Sequence, residues 1–113
     1  MKQRITILML GGGRRVSMAE LLKESGKRLG AEVQVVGYEL ITKVPLASAG
    51  KVVQGLAWDD PRVEDDVVRV AQEQEADILI PYSNAAVEVA AKVKSRLPDT
   101  FSPVCDADTA AVF

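Results

Sequence analysis

Apolar and polar positions form two patterns along this chain, one typical of buried strands and one typical of amphipathic helices. Continuous apolar runs predict strands that are covered on both faces, and apolar positions three and four residues apart predict helices. The two patterns alternate, as they do where parallel strands are joined by helical crossovers. The sequence therefore predicts an α/β fold, a Rossmann-like three-layer sandwich with a mainly parallel five-stranded sheet and helices on both faces.

The predicted elements follow one another from one end of the chain to the other. Strands are predicted at residues 5–10, 31–38, 51–54, 77–81 and 101–105, and helices at 16–29, 61–75, 85–96 and 107–113. The predicted buried helix faces are Val16, Ala19, Leu22, Gly26 and Leu29; Val63, Val67, Val70 and Ala71; and Ala86, Val87, Ala90, Ala91 and Lys94. Residues 40–50 show no strong period and are predicted to form a loop with one helical turn, and residues 51–54 an edge strand.

Several residues mark the predicted helix ends. Gly30 is a plausible stop for the first helix. Asp60 is a good N-cap with Pro61 as the first helical residue, and Ser83 or Asn84 can cap the third helix. Asp106 is a further candidate N-cap.

The first predicted strand ends at three glycines, Gly11, Gly12 and Gly13, which are followed by Arg14 and Arg15 and then a helical pattern. Glycines let the backbone approach a ligand closely, and a helix N-terminus offers unpaired N–H groups and partial positive charge to an anion. Arginines at this end oppose the helix dipole unless an anion offsets them. We therefore predict an anion site, the alternative being that both arginines simply face solvent.

Three polar residues at other strand ends are candidates for the same site. Ligands of parallel sheets bind beyond the carboxyl ends of the strands. A first strand beside the fourth would therefore bring residues 11–15, here called the glycine corner, close to Ser83 and Asn84. Glu39 follows the second strand, where an acidic residue bonds a ribose hydroxyl in dinucleotide-binding folds. An exposed loop glutamate is the alternative interpretation of Glu39.

Composition limits the classes of function. The 113 residues suit one domain, and 48% of them are hydrophobic. A net charge of −2 does not favour nucleic acid, and no apolar run is long enough for a membrane span. The lone Cys105 is consistent with a reducing cytoplasm, where we expect the protein to reside. The absence of histidine rules out a Ser-His-Asp or Cys-His nucleophile and makes a zinc site improbable.

Two common phosphate-binding motifs are missing. The dinucleotide fingerprint Gly-x-Gly-x-x-Gly requires a glycine at Val16 when it starts at Gly11, and it fails at once from Gly12 or Gly13. No Gly-Lys-Ser or Gly-Lys-Thr of a P-loop is present. An NAD dehydrogenase and a P-loop NTPase are therefore disfavoured.

The segment Ile7–Val16, ILMLGGGRRV, resembles the opening of the N-terminal, pre-ATP-grasp domain of ATP-grasp ligases, especially carbamoyl-phosphate synthase large-chain-like proteins. The similarity continues through residues 45–53, 59–61, 77–81 and 102–113, so it covers nearly the whole chain. The chain departs from the family at Glu39, where an aspartate is usual. It departs again at Asn84 and Ala86, where the family tends to carry an acidic pair.

The resemblance implies that residues 1–113 are a single domain at the N-terminal end of a longer ligase. Such an enzyme joins a carboxylate to an amine or ammonia through an acyl phosphate, with ATP and magnesium. Gly11, Gly12, Gly13, Arg14, Arg15, Glu39, Ser83 and Asn84 would then line the substrate-side cleft for a small carboxylate or phosphate. The isolated chain is expected to be inactive and to need an ATP-grasp module, in the same chain or a separate subunit.

Two other interpretations remain open. The chain could be a stand-alone small-molecule or nucleotide-binding module that regulates a partner, with the anion site at the glycine turn. It could also be a doubly wound domain whose glycine turn is only structural and whose apolar surfaces mediate assembly, including a homodimer. No catalytic residue and no metal ligand is predicted within the chain, and neither nucleic acid nor a membrane is expected as a partner.

Overall fold

A single parallel sheet with helices on both faces is present in the computed structural model, which describes residues 4–102. The strands are β1 (Arg4–Leu10), β2 (Glu32–Glu39), β3 (Lys51–Gln54) and β4 (Ile78–Pro81). The helices are α1 (Val16–Arg28), α2 (Val63–Glu73) and α3 (Asn84–Val93), with 3-10 turns at Pro45–Ser48 and Lys94–Arg96. The predicted α/β class is confirmed.

The strand order is β3-β2-β1-β4, and every pair is parallel. The chain moves outward from β1 to β2 and β3, and then returns to place β4 on the other side of β1. Strand order therefore reverses between β1 and β4, and in open α/β sheets ligands bind beyond the carboxyl ends of the strands at such a point. The predicted neighbours, β1 and β4, and the predicted edge strand, β3, are confirmed.

The prediction of a fifth strand is wrong for the part of the chain that the structure describes. Phe101 forms only an isolated parallel bridge with Ile78. Its N–H donates to the Asp77 carbonyl at 2.8 Å, and its carbonyl accepts from the Leu79 N–H at 2.9 Å. A strand needs a ladder of several such pairs, and only one residue takes a ladder position here. Residues 103–105, the cap at Asp106 and the helix predicted at 107–113 lie outside the described residues.

The alternation of side chains in β1 divides the core between the two faces of the sheet. Leu8 and Leu10 point to one face, where they pack with Val36 and Tyr38 under α2 and α3. Ile7 and Met9 point to the other face, where they pack with Val35 and Leu46. The buried residues of α1, Ala19 and Gly26, cover this second face. Burial on both faces explains why the β1 sequence is almost entirely apolar.

Three helix details differ from the predictions. The helix α2 begins at Val63, because Asp60 instead closes a preceding turn, accepting the Arg62 N–H at 2.8 Å through its side chain. Leu29 follows α1 and is 86% exposed, whereas Gly30 has a φ of +80°, as expected for a helix stop. In α3, Val87 is 37% exposed, and the buried positions are Ala86, Val89, Ala90, Ala91 and Val93.

Candidate functional site

The carboxyl ends of three strands meet at one point of the sheet edge. Leu10 is level with Tyr38 of β2 and with Pro81 of β4. The next residues continue these pairings, because the Gly11 N–H donates to the Tyr38 carbonyl at 3.3 Å and the Tyr82 N–H donates to the Leu10 carbonyl at 3.0 Å. The loops that follow β1, β2 and β4 therefore begin side by side.

The glycine corner turns sharply between β1 and α1. Gly11 has a φ of +78°, a conformation that residues with a Cβ rarely adopt. A Cβ on Gly12 would lie 2.7 Å from Cε of Met9, so this glycine lets the corner pack closely on the core. The Arg15 N–H donates to the Gly12 carbonyl at 2.9 Å. The amides of Gly11 and Arg15 are thus already hydrogen-bonded within the protein.

Gly13 brings the corner against the loop that follows β2. A Cβ on this residue would lie 2.8 Å from Oε1 of Glu39 and 3.1 Å from Cγ1 of Val44. The Gly13 carbonyl accepts the Leu46 N–H at 2.9 Å, which fastens the 3-10 turn to the corner. The missing side chain therefore allows the Glu39 carboxylate and the backbone to lie in contact.

A cavity of about 430 Å³ opens beside this corner. Its lining includes five of the eight predicted site residues, Gly11, Gly13, Arg14, Arg15 and Glu39, together with Val44 and Tyr82. The two arginines are exposed. The guanidinium carbon of Arg15 lies 5.9 Å from the centroid of the Tyr82 ring, within the range of a cation–π interaction. The structure therefore brings the predicted cations and Glu39 to one cavity.

The start of α1 lacks the features that normally stabilise a helix N-terminus. No side chain caps its first turn, and no acidic residue lies in that turn. Residue Arg15 occupies the cap position, where a cation opposes the helix dipole. This end of the helix therefore favours a nearby negative group, and none is supplied by its own first turn.

Glu39 contributes a negative charge to the same cavity. Its Oε1 atom is buried and has no hydrogen-bond partner within residues 4–102. Burial raises the pKa of the Glu39 carboxyl above its ordinary value, and the nearby Gly13 amide offsets part of that effect. Burial also raises the pKa of the Tyr82 hydroxyl, against the opposing charge of Arg15. The cavity thus combines cations with a poorly solvated carboxylate.

The remaining predicted residues do not line this cavity. Gly12 is buried under Met9 and Tyr82. Ser83 acts as the N-cap of α3, where its hydroxyl accepts the Ala86 N–H at 3.1 Å. Asn84 is the first residue of α3 and is exposed. Ser83 is still a neighbour of the corner, since its Oγ would lie 3.8 Å from a Cβ on Gly11.

Val44 and Tyr82 are lining residues that were not among the predicted site residues. Tyr82 directly follows β4, so its position at the carboxyl edge was available as a signal from the sequence. Val44 lies in the loop without a regular period, and nothing in its sequence context indicates that it contacts Gly13. Its place depends on the hydrogen bond between Leu46 and Gly13.

Residues 4–102 contain no group of three or more acidic, histidine or cysteine side chains placed to hold a metal ion. Accordingly, no described residue is assigned to the magnesium ion that an ATP-dependent ligase would use. None of the helices in this range is both long and apolar enough to cross a membrane.

Comparison with known proteins yields matches only among solved structures. The chain matches no protein-family model and no curated protein sequence. N5-carboxyaminoimidazole synthetase from Staphylococcus aureus superimposes with a TM-score of 0.60 over 91% of this chain, at 17% identity. Pyruvate carboxylase from Rhizobium etli gives 0.59 over 95% of this chain, at 18% identity. dTDP-glucose 4,6-dehydratase from Bacillus anthracis gives 0.59 over 87%, at 9% identity.

These likenesses show the fold. The chain spans 25% of the length of the synthetase, 12% of the carboxylase and 36% of the dehydratase. The synthetase and the carboxylase are ATP-grasp ligases, so the resemblance identified from the sequence is confirmed at the level of the fold. The dehydratase structure, solved in complex with NAD, shows that the same Rossmann-like architecture also occurs in a different class of enzyme.

Proposed function

We propose that this chain is the substrate-side domain of an ATP-dependent ligase that joins a carboxylate to an amine. In this proposal the cavity at the glycine corner binds a small carboxylate or phosphate. ATP, magnesium and the residues of the chemical step belong to an ATP-grasp module, in the same chain or in a separate subunit. The domain alone binds the anion and does not turn over substrate.

One observation carries the proposal. The cavity of about 430 Å³ lies where strand order reverses, and its lining joins Arg14 and Arg15 to an uncapped helix start. Anions are stabilised by guanidinium groups and by the positive end of a helix dipole. Since no acidic side chain occupies the first turn of α1, an external anion is the group that would balance these charges.

The fold does not distinguish a ligase domain from a dehydrogenase domain, since both kinds of structure superimpose about equally well. The sequence of the glycine corner supports a ligase domain rather than a dehydrogenase domain. A dinucleotide fingerprint that starts at Gly11 would place a third glycine where Val16 opens α1, and that glycine permits the close packing of the helix on the strand. Two arginines beside Val16 favour a compact anion instead. The sequence resemblance to ATP-grasp ligases supports the same choice.

A second candidate function rests on a separate observation. Arg14, Arg15 and Glu39 give the cavity charged groups for a ligand within the domain itself. The chain would then be a stand-alone small-molecule or nucleotide-binding regulatory module. The coding sequence downstream of Phe113 separates the two functions. An open frame that continues into an ATP-grasp module supports the ligase, and a stop codon with no such gene nearby contradicts it.

The anion site is tested by the thermal stability of the chain in phosphate. A ligand present at ten times its dissociation constant stabilises the folded state by about 1.4 kcal/mol. For a domain of this size we expect inorganic phosphate to raise the Tm by about 5 °C. The same titration with ATP and ADP shows whether a nucleotide binds in place of a smaller anion.

The double variant R14Q/R15Q should lose most of the phosphate-induced shift while retaining its circular dichroism spectrum. A matched control is K27Q/R28Q, which removes the same charge from the opposite end of α1. This control should retain the full shift, even if its basal Tm changes. An equal shift in all three proteins would show that the glycine-corner cavity is not the anion site.

A further inference from the structure

The cavity at the glycine corner has walls of opposite charge. Arg14 and Arg15 follow β1, and Glu39 ends β2. Within residues 4–102 the Glu39 carboxylate forms no ion pair with either arginine, and Arg15 instead lies over the ring of Tyr82. The positive and negative groups are therefore presented to the cavity separately and do not neutralise each other.

Glu39 has an unused capacity to accept a hydrogen bond. Its Oε1 atom is buried between the Gly13 backbone and Val44, which supplies no donor side chain. A buried acceptor without a partner destabilises the folded state relative to one that is satisfied. Because Glu39 lines the cavity, a ligand held there can supply the missing donor.

On the basis of the proposed function, we infer that Glu39 sets the specificity of the cavity for small anions that also carry an ammonium group. The anionic end of such a ligand binds beside Arg14 and Arg15. Its ammonium end donates to the Glu39 carboxylate. One ligand thus balances the charges of both walls and satisfies the buried oxygen.

An ammonium group fits this position better than a hydroxyl group. A hydrogen bond between two charged groups is stronger than one in which the donor is neutral. The positive charge also compensates for the burial that raises the pKa of Glu39. A hydroxyl group would satisfy the oxygen but would leave the carboxylate without a counter-charge.

Three probes that differ in one group test the inference by calorimetry on the full chain at pH 7.5. They are 2-aminoethyl phosphate, 2-hydroxyethyl phosphate and ethyl phosphate. A charge-assisted hydrogen bond predicts that the amine binds at least about tenfold more tightly than ethyl phosphate. The hydroxyl compound should bind within about threefold of ethyl phosphate. This comparison uses the unaltered protein, so it does not depend on any variant being folded.

The variant Glu39→Gln assigns the preference to one side chain. It should reduce the advantage of the amine to less than about threefold and should leave the affinity for ethyl phosphate unchanged or higher, since a nearby negative charge is removed. Glu32→Gln, at the exposed opposite end of β2, is the matched control and should keep the full preference.

The outcomes separate this inference from the proposed function. Binding of ethyl phosphate and 2-aminoethyl phosphate with equal affinity would overturn the role of Glu39 and leave the anion site standing. Tightest binding of 2-hydroxyethyl phosphate would also overturn it, since the selected group would be a hydroxyl. If none of the three probes binds, the anion site itself is wrong, and the inference falls with it.

Discussion

Glu39 is a residue whose ionised side chain lowers the stability of the fold. The second strand carries the side chain to the sheet edge, and the glycine corner covers one of its oxygens. The covered oxygen, Oε1, loses hydration and has no hydrogen-bond partner within residues 4–102 that meets normal geometry, although the Gly13 amide lies nearby. Residues that are poorly satisfied in the folded protein are often those that meet a ligand, which supports its assignment to the site.

The raised pKa of Glu39 gives a stability prediction with a definite sign. Because the folded state holds this proton more tightly than the unfolded state, protonation stabilises the fold as the pH falls toward the ordinary value of 4.5. Glutamine resembles the protonated form. At pH 8, where the native residue is ionised, Glu39→Gln should therefore raise the Tm by about 2–5 °C.

The difference should shrink toward zero near pH 4.5, and differential scanning fluorimetry at several pH values measures it. Comparison with the native chain cancels the opposite trend of Asp60 and Asp66, whose carboxyl pKa values are lowered. A Tm difference of the same size at pH 8 and pH 4.5 would contradict the explanation.

At the scale of single residues, the sequence predicts which candidate residues lie near the carboxyl edge of the sheet. Glu39 ends β2, and the two arginines follow the glycines after β1, so the order of elements was enough to predict their positions at this edge. Val44 could not be found, since a loop has no period that fixes where its side chains point. The position of Val44 in the cavity wall follows from the hydrogen bond between the Leu46 N–H and the Gly13 carbonyl, which joins residues far apart in the sequence.

At the scale of elements, the prediction that Ser83 or Asn84 caps the third helix is confirmed for Ser83. It stands in an extended conformation before α3, and its hydroxyl accepts the Ala86 N–H. Loss of an N-cap hydroxyl typically costs about 1 kcal/mol. Ser83→Ala should therefore lower the free energy of unfolding by about that amount in urea denaturation.

A serine in the interior of a helix provides the control for this prediction. Ser25→Ala, exposed within α1, should be neutral or slightly stabilising, because alanine has the higher helix propensity. The phosphate-induced Tm shift should survive Ser83→Ala, since Ser83 does not line the cavity. Loss of that shift in a folded variant would restore Ser83 as a ligand contact.

The elements themselves were largely predictable, and the errors have local causes. The apolar run of β1 identifies a strand covered on both faces, and the order of strands and helices identifies parallel pairing. The start of α2 was placed too early, because Asp60 and Pro61 suit a turn before a helix as well as a helix start. The fifth strand was overestimated, since an apolar segment does not specify how many of its residues pair.

At the scale of the whole molecule, the two outer strands of the sheet, β3 and β4, differ in the number of backbone hydrogen bonds that support them. β1 is hydrogen-bonded to a strand on each side, whereas β3 has β2 as its only described partner. β4 has a further contact beyond β1, because Phe101 exchanges two backbone hydrogen bonds with its outer edge. The cavity at the glycine corner lies beyond β1, with Glu39 of β2 on one side and Tyr82, after the supported strand β4, on the other.

Backbone hydrogen exchange should reveal this asymmetry. β3 and β4 both have four residues, so they form a matched pair that differs mainly in its support. Exchange rates follow the free energy of local opening, which is lowest at sheet edges with few buried contacts. We expect peptides of β1 to exchange most slowly, β4 next, and β3 at least about tenfold faster than β4. Mass spectrometry of the native chain measures all three. If β3 were protected as well as β4, the bridge through Phe101 would add no protection to β4. The two outer strands of the sheet would then be equally stable.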